Sequence, residues 1–332
     1  MICVVGGAGY IGSHCVKRLL ERGYPVVTLD NLEAGHRAAV LGGEFVQGDY
    51  TDRETLDCLF RSYPVECVMH FAAYASVAES MTDPAKFYRL NVVGGYTLLE
   101  AMRAHRIPYL IFSSSAATYG EPRHIPIPED HPQEPTNAYG ETKRAFEQML
   151  RWYDMAYGLR SISLRYFNAA GADPEGLLGE DHRPETHLIP LVLLTALGKR
   201  PVVKIFGTDY DTPDGTAIRD YIHVTDLADA HILAYEALKR GAPSTAYNLG
   251  NGMGYSVREV IRTAEEVVGH PIPQEEAPRR AGDPARLVAS AQRAQRELGW
   301  QPQYADLRTI IATAWRWHST HPDGYAEGAA VP

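Results

Sequence analysis

Residues 2–14 read ICVVGGAGYIGSH. The run ICVV is apolar and largely β-branched, which predicts a short buried strand, and Ile11, Cys15, Arg18, Leu19 and Arg22 then fall at helical spacing over 9–22. Between the two, Gly6, Gly9 and Gly12 form a Gly-x-x-Gly-x-x-Gly loop. Such a loop at the start of a helix lets the backbone approach a pyrophosphate, and the helix end supplies positive potential. Asp30 closes the next apolar run, PVVTLD at 25–30. An acid about 20 residues beyond the glycines accepts hydrogen bonds from a ribose diol and repels a 2′-phosphate, so the expected cofactor is NAD and not NADP. His36 and Arg37 are the nearby cations that bear on that choice.

The same alternation continues outward. Strand-like runs at 44–49, 65–73, 107–115 and 159–168 are separated by helix-like segments, with 84–105 the longest and 137–157 another. This βαβα order predicts an α/β fold built on a doubly wound parallel Rossmann sheet. Asp49, after the third strand, reads either as an acceptor for an adenine amino group or as a turn-forming Asp. Phe71, Ala72 and Ala73 end the fourth strand, where ligands bind in such sheets and small side chains leave room. Asn91, midway in an apolar helix, reads as structural or cofactor-supporting, the alternative being a solvent-facing polar residue.

Beyond Asn168 the texture changes. Pro, Gly and acidic residues fill 171–186 and 207–216, as expected of long functional loops, while 225–238 and 256–269 read as helices and 245–250 as a strand returning to the first sheet. The expected division is a nucleotide unit from 1–168 plus about 221–250, and a smaller α+β substrate unit from about 169–220 plus 251–332. The chain has 332 residues and a formal charge of −9, which disfavours nucleic acid as a partner because phosphate neutralisation needs clustered cations. Cys3, Cys15, Cys58 and Cys67 read as reduced core residues, and without a paired Cys-x-x-Cys spacing no metal is expected. No apolar run reaches the roughly 18 residues of a membrane span and no signal-peptide pattern develops, so a cytoplasmic protein is expected.

Tyr139 and Lys143 stand at i, i+4 on a predicted helix and therefore on one face. Lowering a phenol's pKa by about 3 units takes about 4 kcal/mol of differential stabilisation of the phenolate. A nearby ammonium together with a positive nicotinamide ring supplies that stabilisation. Ser115, at the end of the fifth strand, adds a hydroxyl at the same point, and the three are the expected catalytic residues.

GGAGYIGSH at 6–14, DNL at 30–32, FSSSAATYG at 112–120, YGETK at 139–143 and LRYFNAAGA at 164–172 resemble the extended short-chain dehydrogenases. DGTAIRDYIHVTDLADAH at 214–231, YNLGNGMGYSVREVI at 247–261 and PRRAGDPA at 278–285 narrow the resemblance to the UDP-glucose 4-epimerases of that family, over nearly the whole chain. The resemblance implies Tyr10 and Ile11 at the NAD pyrophosphate, Asp30 and Asn31 at the adenosine ribose, and Asp49 and Tyr50 at adenine. It puts Lys143 at the nicotinamide ribose, Phe167 near the nicotinamide, and Ser115 and Tyr139 at the sugar's 4-hydroxyl. On the UDP side it implies Asn168, Leu188, Lys204, Ile205, Phe206, Arg219, Arg280 and Asp283; two guanidiniums suit a diphosphate because each can bond two oxygens.

Three positions depart from the family's best-known form: Ala75 replaces a phosphate-facing lysine, His187 an Asn of the substrate segment, and Leu287 a Tyr that borders the sugar pocket. The implied chemistry is interconversion of UDP-glucose and UDP-galactose. Tyr139 takes the 4-hydroxyl proton while carbon 4 gives hydride to NAD⁺, and the 4-keto sugar turns and takes the hydride back. A homodimer through 84–105 and 137–157 is expected by the same similarity, with Tyr88, Tyr96, Phe146, Met149 and Trp152 as surplus apolar surface. A nucleotide-sugar dehydratase should carry an Asp-Glu pair after the serine strand, where Ala116, Ala117 and Thr118 stand; a non-catalytic NAD sensor has no need of the Ser115, Tyr139 and Lys143 set.

Overall fold

Ile2, Cys3, Val4 and Val5 are all buried, so both faces of this first strand are covered, as in the middle of a parallel sheet. The computed structural model describes residues 1–280 and 283–326. The first half runs β1 (Ile2–Val5), α1 (Tyr10–Glu21), β2 (Val26–Asp30), β3 (Glu44–Gln47), α2 (Arg53–Ser62), β4 (Cys67–His70), α3 (Val77–Thr82), α4 (Pro84–Phe87), a π-helical stretch (Tyr88–Gly94), α5 (Gly95–Ala104), β5 (Tyr109–Ser115), α6 (Ala138–Tyr157) and β6 (Arg160–Tyr166). The second half runs β7 (Asn168–Ala170), α7 (Leu188–Ala196), β8 (Val203–Phe206), β9 (Ile218–Arg219), β10 (Tyr221–His223), α8 (Val224–Lys239), β11 (Thr245–Leu249), β12 (Tyr255–Ser256), α9 (Val257–Val268), β13 (Gln274–Ala277), β14 (Arg286–Leu287), α10 (Gln292–Leu298) and α11 (Leu307–Thr320).

Seven parallel strands form the main sheet in the order β11-β6-β5-β4-β1-β2-β3. The strand order reverses between β1 and β4, and a crevice at the carboxyl ends of such a pair is where α/β sheets bind ligands. One face packs Val16 and Leu19 of α1 against Leu227 and Tyr235 of α8; the other packs α2, α5 and α6 through Leu56, Leu98 and Phe146. A separate core joins Val192 of α7, Ile205 of β8, Ile261 of α9 and Ile311 of α11.

Several expectations are corrected by packing. The strand expected over 159–168 divides at Phe167, because Asn168–Ala170 leaves the main sheet to pair with Tyr221–His223. The helix expected over 84–105 winds as a π-helix across Tyr88–Gly94, a form often found at functional sites. Cys58 is exposed, since Leu56, Leu59 and Phe60 make the buried side of α2. Phe146 is fully buried and Met149 packs against the same core, so neither is surplus surface; Tyr88, Tyr96 and Trp152 are exposed. Ala291, Ala294, Leu298 and Trp300, expected in the second unit, pack into the main-sheet core, with the Trp300 indole donating to the Asp226 carbonyl at 2.9 Å.

His14, His70, His223 and His231 are buried, and burial lowers their pKa values to about 4, 3, 3 and 4. In the unfolded chain they titrate near 6.5, so the stability they contribute as neutral groups is full above that pH and is lost as pH falls toward the folded values. Each contributes a slope of about 1.4 kcal/mol per pH unit across that window. Urea denaturation at pH 7 and pH 5 should show a clearly lower midpoint at pH 5; equal midpoints would contradict this account.

Candidate active site

Gly6 has φ +81°, and a Cβ there would lie 2.6 Å from the Ala72 nitrogen. A Cβ on Gly12 would lie 2.1 Å from the Gly6 carbonyl oxygen, so the loop closes on itself and on the end of β4 only as glycine. Gly9 caps α1 with no side-chain bond, which leaves the first N–H groups of the helix to a ligand. Tyr10 and Ile11 spend their side chains elsewhere: the Tyr10 hydroxyl donates to the Gly171 carbonyl at 2.6 Å and Ile11 packs on the sheet core. What they offer a pyrophosphate is helix-start backbone. The Asp30 carboxylate is buried, accepts from Ala8 N and Leu32 N at 2.9 Å each, and burial raises its pKa. Asn31 donates to Asp49 at 3.2 Å, and Asp49 is also held by Thr51. The Tyr50 ring lies in the core and its hydroxyl donates to the Leu90 carbonyl at 2.8 Å, so the side chain is committed to packing and its backbone is what remains for a ligand.

The opposite wall is the end of β4. Phe71 N and Ala72 N both donate to the Val5 carbonyl, the Phe71 ring stands 4.6 Å from that of His231, and Ala73 is half-buried. Asn91 is a positioning residue. Buried in the π-helical stretch, it accepts from Tyr74 N and donates to the Tyr74 carbonyl and to Thr142, all at 3.1 Å, tying this wall to the residue beside Lys143.

Asn137 caps α6 by accepting from Gly140 N at 2.8 Å, which puts Tyr139 in the first helical turn and Lys143 one turn later. Tyr139 stands near enough to Ser115 for the serine hydroxyl to favour the phenolate, and Ser115 Oγ accepts from Ala117 N at 3.1 Å. The Lys143 Nζ is buried, lies 5.7 Å from the Tyr139 ring centre and donates to the Ser113 carbonyl at 2.8 Å. Burial raises the Tyr139 pKa against the lowering by Ser115, and burial pushes Lys143 down to about 7 against the pull of Glu147. The expected lowering of the phenol is therefore not a property of the chain alone. Burial favours the neutral form of both groups, and only a further positive charge beside the phenol lowers its pKa.

Glu147, another turn along α6, is a residue that sequence reasoning missed. It forms a buried ion pair with Arg165 at 2.6 Å and accepts from Ser114 at 2.5 Å and Gln133 at 2.9 Å. Arg165 also donates to the Tyr119 hydroxyl, which donates to Asn248. The spacing of 139, 143 and 147 along one face was the available signal.

Phe167, half-buried, joins this centre to the second unit, where Asn168 donates through Nδ2 to the Asp220 carbonyl at 2.9 Å. Leu188 opens α7 and packs on the third core. Strand alternation divides the β8 segment: Ile205 is buried in that core, whereas Lys204, 3.4 Å from Glu275, and Phe206 face the other way. The Arg280 guanidinium stacks 4.0 Å from the Phe206 ring centre, Arg219 is ion-paired with Asp283, and Leu287 pairs in parallel register with Arg219. Arg280 and Asp283 line a cleft of about 470 Å³ with Tyr210, Glu121 and Asp209. Residues 281 and 282 of the PRRAGDPA motif lie outside the described residues.

His187, expected in the substrate segment, is engaged by two carboxylates. Its Nδ1 lies 2.8 Å from Glu180 Oε1 and 2.9 Å from Glu185 Oε1, and His182 joins the group. The expectation of no metal rested on cysteine spacing and did not weigh this cluster, although GEDHRPETH at 179–187 carries its residues in plain sight.

A phenol paired with a buried amine at the mouth of a dinucleotide crevice suits proton and hydride transfer at a carbinol carbon, the chemistry of the short-chain dehydrogenase class. Residues 2–250 match the model of the NAD dependent epimerase/dehydratase family, and the chain belongs to that family. It is 55% identical over 325 residues to the UDP-glucose 4-epimerase of Halalkalibacterium halodurans, covering 98% of this chain and 97% of that one. Among solved structures, one UDP-glucose 4-epimerase superposes with a TM-score of 0.96 at 54% identity, covering 98% of this chain and 99% of the other. The Bifidobacterium longum enzyme in complex with NAD⁺ and UDP superposes at 0.93 with 38% identity, covering 98% and 99%.

Proposed function

We propose that this chain interconverts UDP-glucose and UDP-galactose by NAD-dependent inversion of carbon 4. The observation that carries the reading is Tyr139 beside Ser115 and Lys143, next to a glycine crevice in a chain similar over its full length to UDP-glucose 4-epimerases. The crevice suits NAD: Gly6 and Gly12 keep the loop open to a pyrophosphate, the cap at Gly9 leaves helix N–H groups available, and the buried Asp30 suits a ribose diol. When bound, NAD⁺ supplies hydride acceptance and its return at carbon 4. Tyr139 takes and returns the proton of the 4-hydroxyl, Ser115 holds the same oxygen, and Lys143 supports the phenolate and orients the cofactor ribose. Arg219, Arg280 and Asn168 hold the UDP as a pivot while the keto sugar turns. Incubation with UDP-galactose followed by NMR tests this: the 4-epimer supports it, whereas a dehydrated keto sugar or unchanged substrate overturns it.

Substrate breadth rests on Leu287, which shares a sheet face with Arg219. Leucine has no outer ring or hydroxyl, so the pocket at carbon 2 is larger than with Tyr, yet still narrower than with Cys or Ser. A poor fit costing about 1–3 kcal/mol corresponds to roughly 10- to 200-fold discrimination. Efficient turnover of UDP-glucose and UDP-galactose is expected, with weak activity on the N-acetylhexosamine forms. Leu287→Tyr should widen the ratio of kcat/KM between the two substrate pairs; an unchanged ratio removes Leu287 as the gate.

A homodimer belongs to the same proposal. Tyr88, Val93, Tyr96, Trp152 and Met155 form exposed apolar surface on the π-helical stretch, α5 and α6, with Trp152 61% and Met155 66% exposed. Sedimentation at micromolar concentration should give twice the chain mass, and Trp152→Glu should shift the equilibrium to monomer; a monomeric parent rejects the interface. No helix among the described residues is long and apolar enough to cross a membrane, and a cytoplasmic location is part of the reading.

A further inference from the structure

We propose that Glu180, His182, Glu185 and His187 form a zinc(II) site that clips the long loop after β7 to the start of α7. The inference does not depend on the proposed activity. One ligand atom from each of the four side chains can be chosen so that all lie within 4.8 Å of one another. The individual separations are 2.8 Å from His187 Nδ1 to Glu180 Oε1, 2.9 Å from His187 Nδ1 to Glu185 Oε1, 3.1 Å from His182 Nδ1 to Glu180 Oε1, and 3.7 Å from His182 Nδ1 to Glu185 Oε2. Zinc bonds of about 2.1 Å to imidazole nitrogen and carboxylate oxygen give a tetrahedron with edges of about 3.4 Å. These separations lie on both sides of that edge and the full set of ligand atoms lies within 4.8 Å, so side-chain shifts of up to about 1.4 Å convert the cluster into a coordination shell.

Charge and support point the same way. The Glu180 and Glu185 side chains are only 5% and 8% exposed, yet the two carboxylates stand side by side and share the same two imidazole nitrogens. Protonated, the two imidazoles already balance the two carboxylates, so zinc(II) enters in exchange for two protons. A dication with two neutral imidazoles brings the site to zero net charge. The ligands are also held from behind. Thr186 N and His187 N each donate to Glu185 Oε1 at 2.7 Å, leaving Oε2 toward His182, and the Trp317 indole donates to the Glu180 carbonyl at 3.3 Å. Such outer contacts are what orient metal ligands. Two nitrogen and two oxygen ligands select zinc over magnesium or calcium, and four protein ligands close the shell, which is the pattern of a structural site.

The test uses the tag-free full chain, stripped with EDTA, exposed to Zn²⁺ and gel-filtered before metal analysis. About one zinc per chain should be retained, with no retention of Mg²⁺ or Ca²⁺, and Co²⁺ should give the intense visible bands of a four-coordinate ion. His182→Gln/His187→Gln should lose the zinc and the bands, and Zn²⁺ should raise the Tm of the parent only. Should the double variant misfold by circular dichroism, Glu185→Gln is measured in its place and must weaken zinc retention at least tenfold. Absence of retained zinc in the parent, or equal retention by parent and folded variant, overturns the site.

Discussion

Tyr139→Phe is expected to lower kcat roughly 10²- to 10⁴-fold while bound NAD is retained, because a single phenolic oxygen carries the proton to and from the substrate. The ring stays on the first turn of α6, so the change removes one hydroxyl beside Ser115 and leaves the glycine crevice untouched. The readout is steady-state epimerisation of UDP-galactose together with the nicotinamide content of the purified variant. Activity within tenfold of the parent would remove Tyr139 from the proton path. Loss of NAD along with activity would recast the residue as part of the cofactor site.

The second large effect is on stability. Glu147→Leu leaves the Arg165 guanidinium buried without its carboxylate and strips acceptors from Ser114 and Gln133. Breaking a buried pair from one side costs about 3–5 kcal/mol, whereas replacing both members with apolar groups is often close to neutral. The single variant should therefore unfold at a much lower urea concentration, and Glu147→Leu/Arg165→Leu should recover much of the loss. A single variant within about 1 kcal/mol of the parent would mean the network contributes little. Glu147 also raises the Lys143 pKa, so a folded Glu147 variant should lose activity at a lower pH on the alkaline side, as the ammonium that supports the phenolate deprotonates sooner.

Both predictions concern residues on one face of one helix, but they were not equally legible. Tyr139 and Lys143 show themselves through local spacing, and the strand, glycine loop and helix of the first 22 residues do the same, because strand and helix periodicity are properties of neighbouring residues. Asp30 and the carboxyl end of β4 follow once those elements are placed in a parallel sheet. The role of Glu147 depends on Arg165, 18 residues away, and that of Arg219 on Asp283, 64 residues away, and such pairings leave no periodic trace.

The sequence by itself determined the α/β class and pointed to the nucleotide end and the expected trio of Ser115, Tyr139 and Lys143, since each rests on spacing within one or two elements. Tertiary structure alone decided which side of each element faces the ligand. Packing turns the Tyr50 ring and Ile205 into cores, puts Cys58 in solvent and sends Ala291–Trp300 back to the first sheet. It also folds the 180–187 loop so that two histidines meet two glutamates. In each case the reason is the same: an apolar or charged side chain has two directions available to it, and only the neighbours supplied by distant chain segments make one of them lower in free energy.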